Sequence, residues 1–460
     1  VAALRRSAGA APGRRRRRGP NARRRTELGL LVFGSLIVVV AYVVASIGTT
    51  SRIPPDLGPF LAIVLGLSLA AHVATRIYAP DANAVLLPLA TLLNGLGYMM
   101  LARIDPHYAR LQAGWTAVGI GAYVLTLMFV RRSRDLDRYR YLLLLAAIAL
   151  MLAPLIPHFG KDINGARLWI YIGPVNGQPV ELAKLALCIF FASYFSEKRE
   201  LLAIPTVRIG NRLVLDPRPL GPILLAWGFC MLVLGAERDI GFALLIFVLF
   251  VAMLWLATGR TLWLLFGAVL FVVGAVVATH YFSQVHVRVQ GWLNPWPHSQ
   301  APSGYQIVQG MYAFGNGGLT GTGLGYGLLG YIPEVRTDYI FAAFAEEMGL
   351  LGTTLIVFAF VLIVGAGMRI AQAARSEFAK LTASGLTLIL GMQAFFIMAG
   401  IVRLLPLTGI TLPFMAYGGS SLVANYMLIA VLMRISDEGE HVLSTQAVST
   451  PVATSGALTG

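Results

Sequence analysis

Residues 28–47 read LGLLVFGSLIVVVAYVVASI, an apolar run without one charged side chain. A helix needs about 20 such residues to cross the hydrocarbon core of a bilayer. Working outward from this run, further apolar stretches follow at 57–75, 84–102, 113–130, 141–157, 181–196, 219–235, 241–258, 261–280, 348–367, 381–400 and 421–434. They recur nearly end to end and leave no room for a soluble domain. The composition agrees: 57% of the 460 residues are hydrophobic, 12% are charged, and the mean hydropathy is +0.73. A soluble domain carries about 25% charged residues. The runs are continuous rather than alternating, which argues against a transmembrane β-barrel. The expected fold is an all-α polytopic integral membrane protein of about 10–12 transmembrane helices with a large extracytoplasmic loop.

The formal net charge of +15 resembles a nucleic-acid signal until its distribution is examined. Arg5, Arg6, Arg14 to Arg18 and Arg23 to Arg25 precede the first run and form a basic arm, residues 1–26. The run that follows is longer than the roughly 7–15-residue core of a cleavable signal, so it reads as an uncleaved span. With this arm in the cytoplasm and sides alternating, cytoplasmic segments hold 26 of the 36 Lys and Arg. The outer segments hold Arg52, Arg103, Arg110, Lys161, Arg167, Arg238, Arg288, Arg336 and Arg403, and Lys184 lies within a run. This positive-inside bias supports twelve spans with both termini cytoplasmic, and ten with two re-entrant runs is the alternative. The charge is then a membrane-topology feature, and no nucleic acid is expected as partner. The polar tail, 437–460, is expected to be disordered. Cys188 and Cys230 lie inside apolar runs, with no His or second Cys at ligand spacing, and read as packing residues.

Four places could carry chemistry. Glu181 and Lys184 share one helix face at i and i+3 at the mouth of an apolar run, where charge is costly and is either paired or functional. Glu237, Arg238 and Asp239 interrupt two apolar runs. The outer stretch 281–347 is glycine-rich between Gly310 and Gly330 and ends with Glu334, Asp338, Glu346 and Glu347. Its GTGLGYG segment follows no strand, which argues against a nucleotide loop. Trp292, Trp296 and Tyr305 suit the membrane interface or a sugar face. Finally, 402–426 (VRLLPLTGITLPFMAYGGSSLVANY) places prolines and glycines at membrane depth, which predicts a re-entrant hairpin facing a cavity.

Together, NGARLWIYIGP…QPVELAKLAL, ERDIGFALL, SGYQIVQGMYAFGNGGLTGTGLGYG, YIPEVRTDYIFAAFAEEMGLLG and LPLTGITLPFMAYGGSSLVAN, in order over about residues 84–436, resemble the SEDS family, the RodA/FtsW polymerases of bacterial peptidoglycan. The opening TELGLL is more similar to RodA-type members, and the first two spans look like an addition to the family's ten. The resemblance implies a glycosyltransferase of the bacterial cytoplasmic membrane that polymerises lipid II at the outer face, with a class B penicillin-binding protein as partner. It implies substrate-binding roles for Glu181, Lys184, Asp239, Tyr305, Gln306, Glu346, Glu347, Thr408, Pro413, Ser420 and Ser421. No cofactor follows from it beyond a possible divalent cation, and no metal ligand is named.

One departure stands out. Members carry a catalytic aspartate in a segment like Asp-Pro-x-Gly-x-Gly-Tyr-Gln. Here residues 294–306 read NPWPHSQAPSGYQ and contain no acid. Three alternatives stay open: His298 as base, with an ordinary pKa near 6.5; Asp338 or Glu334 folded back into the site; or a chain weak in polymerisation. A lipid-linked precursor flippase and a non-catalytic scaffold are the competing functions.

Overall fold

The structure, a computed structural model, describes residues 20–54, 57–157, 159–163, 166–172, 175–203, 207–209, 212–214, 218–297 and 302–449. Each of the twelve apolar runs lies in a helix: α1 (Pro20–Thr50), α2 (Leu57–Tyr78), α3 (Leu86–Ile104), α4 (Pro106–Phe129), α6 (Arg140–Leu152), α7 (Val180–Ala203), α8 (Gly221–Glu237), α9 (Ile240–Thr258), α10 (Leu262–Tyr281), α13 (Ile340–Ala373), α14 (Glu377–Ile401) and α15 (Gly419–Ser449). A short α5 (Ser133–Arg138) precedes α6, and α11 (Ser283–Leu293) and α12 (Pro302–Gly317) follow α10. Nine of these helices are long and apolar enough to cross a membrane by length and composition, while α6 and α8 are shorter apolar helices. α7 is the central element: Cys188, Phe191, Ala192 and Phe195 are fully buried among α9, α14 and α6. α10 is the opposite case, with almost its whole surface outward, as suits a helix facing lipid.

Helix ends follow local chemistry. Asp105 caps α4 by accepting from His107 N at 2.9 Å, with Pro106 in the first turn. Ser376 caps α14 from Ala379 N at 3.1 Å. Such caps satisfy amide donors that a helix start leaves unpaired.

Polar contacts between segments gather at two sets of connections. At one set, Arg434 of α15 donates to Tyr78 O, Leu127 O and Val130 O at 2.6, 2.7 and 2.7 Å, capping α2 and α4. There too Asp437 accepts from Asp81 N, Glu438 from Ser133, and Arg140 pairs with Glu197. At the other, Arg103 donates to Gly325 O and Gly327 O, Arg336 pairs with Asp105, and Gln178 N donates to Ser420 Oγ.

Several expectations need correction. The arm drawn as 1–26 is helical from Pro20, and its first nineteen residues lie outside those described. The tail drawn as disordered from 437 continues α15 as helix to Ser449, and 450–460 lie outside the described residues. The stretch before α7 folds into an antiparallel meander of β1 (Gly160–Ile163), β2 (Ala166–Ile172) and β3 (Val175–Gly177), with Gly160 opposite Ile170 and Tyr171 opposite Asn176. A second hairpin, β4 (Val207–Ile209) and β5 (Arg212–Val214), lies between α7 and α8.

The stretch 281–347, read as one loop, is mostly helix. Ile307, Gly310 and Phe314 recur at helical spacing, and that face of α12 meets the start of α13: Gly310 lies against the Tyr339 ring and Phe314 against Phe341. Residues 402–418 form no hairpin. They run irregularly: Val402, Leu404 and Gly409 are exposed, whereas 412–416 are buried between helices, with Gly97 of α3 packing on Met415 O and Gly419 on the Trp115 ring of α4. Burial of this second half in protein is what lets its backbone sit among spanning helices.

Candidate active site

The site begins with α7. Glu181 and Lys184 are both 0% exposed, and Lys184 Nζ donates to Glu181 Oε2 at 2.5 Å and to Gln393 Oε1 of α14 at 2.7 Å. The Phe242 ring of α9 covers the ammonium at 5.7 Å. Gln393 Nε2 continues to Thr411 O at 3.0 Å, Thr411 Oγ1 meets Ser421 Oγ at 3.0 Å, and Asn425 Nδ2 donates to Ser421 Oγ at 3.4 Å. Two expected residues, Lys184 and Ser421, are thus linked through the Gln393 side chain and through Thr411, whose carbonyl takes one bond and whose hydroxyl makes the other. Ser420 ties the strap before α7 to the start of α15 through Gln178 N at 3.0 Å.

Glu237, Arg238 and Asp239 form the tight turn between α8 and α9. Arg238 takes a left-handed conformation (φ 62°) as the C-cap of α8, and Asp239 Oδ1 caps α9 by accepting from Phe242 N at 3.0 Å. One oxygen each of Glu181, Glu237 and Asp239, and the Thr408 hydroxyl, are buried without a hydrogen-bond partner among the described residues. Each such buried atom calls for an explanation, and a role in binding or catalysis is one. Asp239 also borders a cavity of about 310 Å³ whose walls include Leu234, Ala243, Tyr281 and Phe282.

Across from Asp239 stands Arg288 of α11, which sequence reasoning recorded only as an outer charge. Its Nη1 donates to Thr408 O at 3.0 Å and Leu407 O at 3.4 Å. Gly409 follows at φ 76°, and a Cβ there would lie 3.4 Å from Arg288 Nη2 and 3.8 Å from Asp338 Oδ2. The absent side chain is therefore a notch between a guanidinium and a carboxyl. Asp338 is pushed up to about 7, first by burial and second by the Glu334 carboxylate, with Arg288 opposing. A carboxyl poised near neutrality suits a general base.

The remaining candidates separate. Glu346 and Glu347 are away from this notch and hold the glycine-rich turn. Glu347 accepts from Gly325 N and Gly327 N at 3.0 and 3.2 Å and lies 3.3 Å from Arg103, while Glu346 Oε1 accepts from Leu328 N at 3.1 Å. Pro413 is buried in the irregular segment. Tyr305 and Gln306, in the first turn of α12, make no polar contact with the cluster among the described residues. His298 lies outside the described residues. Arg288, Gln393, Thr411 and Gly409 were missed. A lone cation in a helix without acids was the available signal for Arg288, while Gln393 and Thr411 gave none in isolation.

A helical membrane scaffold with a buried cluster of charged and polar side chains where its connections meet defines the class, a polytopic membrane protein built around a polar site. Residues 84–441 match the FtsW/RodA/SpoVE family model, described as cell cycle protein, and the chain belongs to that family. The peptidoglycan glycosyltransferase RodA of Mycobacterium tuberculosis (strain H37Rv) is 40% identical over 435 residues, 92% of each chain. A probable peptidoglycan glycosyltransferase FtsW of Legionella pneumophila is 36% identical, covering 72% of this chain and 82% of its own. Among solved structures, one of a peptidoglycan synthase complex that coordinates polymerization and crosslinking superposes with a TM-score of 0.63 at 24% identity, over 78% of this chain and 98% of that one. The crystal structure of Thermus thermophilus RodA gives 0.56 at 23%, over 77% and 96%. Both likenesses concern the fold. The family model begins at the approach to α3, so α1 and α2 stand outside it.

Proposed function

We propose that the chain polymerises lipid II into glycan strands at the outer face of the bacterial cytoplasmic membrane, in cell elongation, beside a class B penicillin-binding protein. Both termini are then cytoplasmic. Family membership and the RodA relatives support the chemistry, and the Asp338 carboxyl at the Gly409 notch is the observation that carries it. The 4-hydroxyl of the acceptor's GlcNAc attacks the anomeric carbon of the donor's MurNAc. The new C–O bond forms as the bond to diphosphate oxygen breaks, and undecaprenyl diphosphate leaves. Asp338 takes the hydroxyl proton in the transition state. The apolar cavity beside Asp239 gives the donor's lipid a place next to this polar cluster. Lys184, held by Glu181 and Gln393, fixes α7 against α14 and so shapes the floor.

The test is glycan-strand synthesis from lipid II by the purified protein with its penicillin-binding partner. Asp338→Asn is expected to lower the rate by about 10²–10⁴-fold, while His298→Ala stays near the unsubstituted rate. The reverse pattern would transfer the base to His298. No strands from the unsubstituted pair, with lipid II moved across vesicles instead, would establish a flippase.

A further inference from the structure

The polymerase reading requires a cation where the diphosphate gathers charge as it departs. Lys184 is the one cation among the substrate-binding residues that the family resemblance implies. The structure commits Lys184 elsewhere: it is fully buried, bonded to Glu181 and Gln393, and covered by Phe242. Pulling it toward a ligand would strand the Glu181 carboxylate in the protein interior, a cost that breaking a buried pair always carries.

Three further cations are also engaged. Arg103 holds the carbonyls of Gly325 and Gly327 and faces Glu347. Arg336 faces Asp105 and lies over the Tyr108 ring at 4.4 Å, and Arg403 holds Trp292 O and Leu293 O. Arg288 differs. Neutral carbonyls pin its Nη1, leaving its charge unneutralised by direct pairing, and its Nη2 makes no hydrogen bond among the described residues while lying 3.4 Å from the empty Cβ position of Gly409. The Thr408 hydroxyl on the same turn is buried and without a partner there.

We propose that Arg288, with Gly409 keeping the notch open and the Thr408 hydroxyl beside it, is the binding site for the diphosphate of the lipid-linked donor and of the departing polyprenyl diphosphate. This rests on the polymerase reading for its ligand. Two carboxylates share the neighbourhood, Asp239 and Asp338, and both oppose an anion. The reaction eases that opposition at the step where it matters. Asp338 becomes neutral on accepting the hydroxyl proton, so the diphosphate departs into a notch holding Arg288 and one negative charge fewer. A planar guanidinium fixed by one nitrogen also offers its other edge to phosphate oxygens in a set direction, which a flexible ammonium does not.

The test is direct binding of undecaprenyl diphosphate, undecaprenyl monophosphate and undecaprenol to the purified full chain. The unsubstituted protein is expected to prefer the diphosphate over the alcohol by about tenfold or more, equivalent to about 1.4 kcal/mol. Arg288→Gln abolishes the preference, Arg288→Lys keeps part of it, and Lys184→Gln keeps it while lowering thermal stability. A folded Arg288→Gln protein that keeps the preference, or its loss in Lys184→Gln instead, overturns the proposal. Should Arg288→Gln fail to fold, Gly409→Ala and Thr408→Val take its place, and an undiminished diphosphate preference in both overturns it equally. Binding needs no turnover, so the two readings separate. Arg288-dependent binding without glycan synthesis removes the polymerase and leaves the site, whereas synthesis with Arg288-independent binding does the opposite.

Discussion

At the residue scale the pH behaviour follows from Asp338 and its neighbour. Its carboxyl titrates near 7, with burial as the main cause and Glu334 as the second. A base must be ionised to work, so the rate is expected to rise with pH through that value. Removing the Glu334 charge makes ionisation easier, so in Glu334→Gln the half-maximal pH falls and relative activity below neutrality increases. Initial rates of strand synthesis across a pH series, with the two proteins compared, check this. An acid limb at the same pH in both would detach Glu334 from the base, and one absent from both would detach Asp338 from the chemistry. The sequence shows Asp338 and Glu334 as equals, two acids in one turn. Only the fold distinguishes them, by facing Asp338 toward Gly409 and leaving Glu334 exposed.

At the element scale, the glycine-rich turn after α12 is a backbone structure held by side chains from elsewhere. Glu347 and Glu346 take its amides and Arg103 takes its carbonyls. Gly349 bends the start of α13 with φ 65°, which lets Leu350 N and Leu351 N reach Gly318 O and Leu319 O at 2.9 and 3.1 Å. On its far side the turn meets α1 with no side chain between them: a Cβ on Gly48 would lie 2.2 Å from Leu324 O, and one on Gly325 would lie 2.6 Å from Ala45 O. Gly48→Leu therefore forces backbones apart and is expected to cost about 1–3 kcal/mol, read as a lower unfolding temperature in detergent. Unchanged stability would mean that α1 and the turn do not pack this closely. Glycine permits such tight turns and close backbone approach. What approaches here is helix and carboxylate, partners that lie far away in sequence.

At the scale of the whole molecule, all twelve apolar runs were legible because lipid leaves the backbone few options. The short strands and the helices within 281–347 were not, because their apolar residues face a neighbouring element that only the fold supplies. The buried polar cluster was half legible: charges in apolar sequence announce themselves, whereas Gln393 and Thr411 gain meaning only from Lys184 and Ser421. Arg434 belongs with the unannounced. It closes one end of the bundle by serving the last carbonyls of α2 and α4, groups that a helix end otherwise leaves bare. Arg434→Met is expected to lose about 3 kcal/mol or more, seen as a lowered thermal midpoint for the entire chain. A midpoint within a degree of the unsubstituted protein would show the cap to be dispensable.

The α1–α2 hairpin has one further consequence, which concerns the order of synthesis. Its buried Glu27 is satisfied by His72 and Arg76, only 45 and 49 residues later in the chain. Its other end, by contrast, is covered by Gly325, which follows Gly48 by 277 residues and so leaves the ribosome much later. The hairpin can enter the bilayer as a self-neutralised pair early in translation. It must then wait with one end uncovered until the glycine turn arrives to close over it.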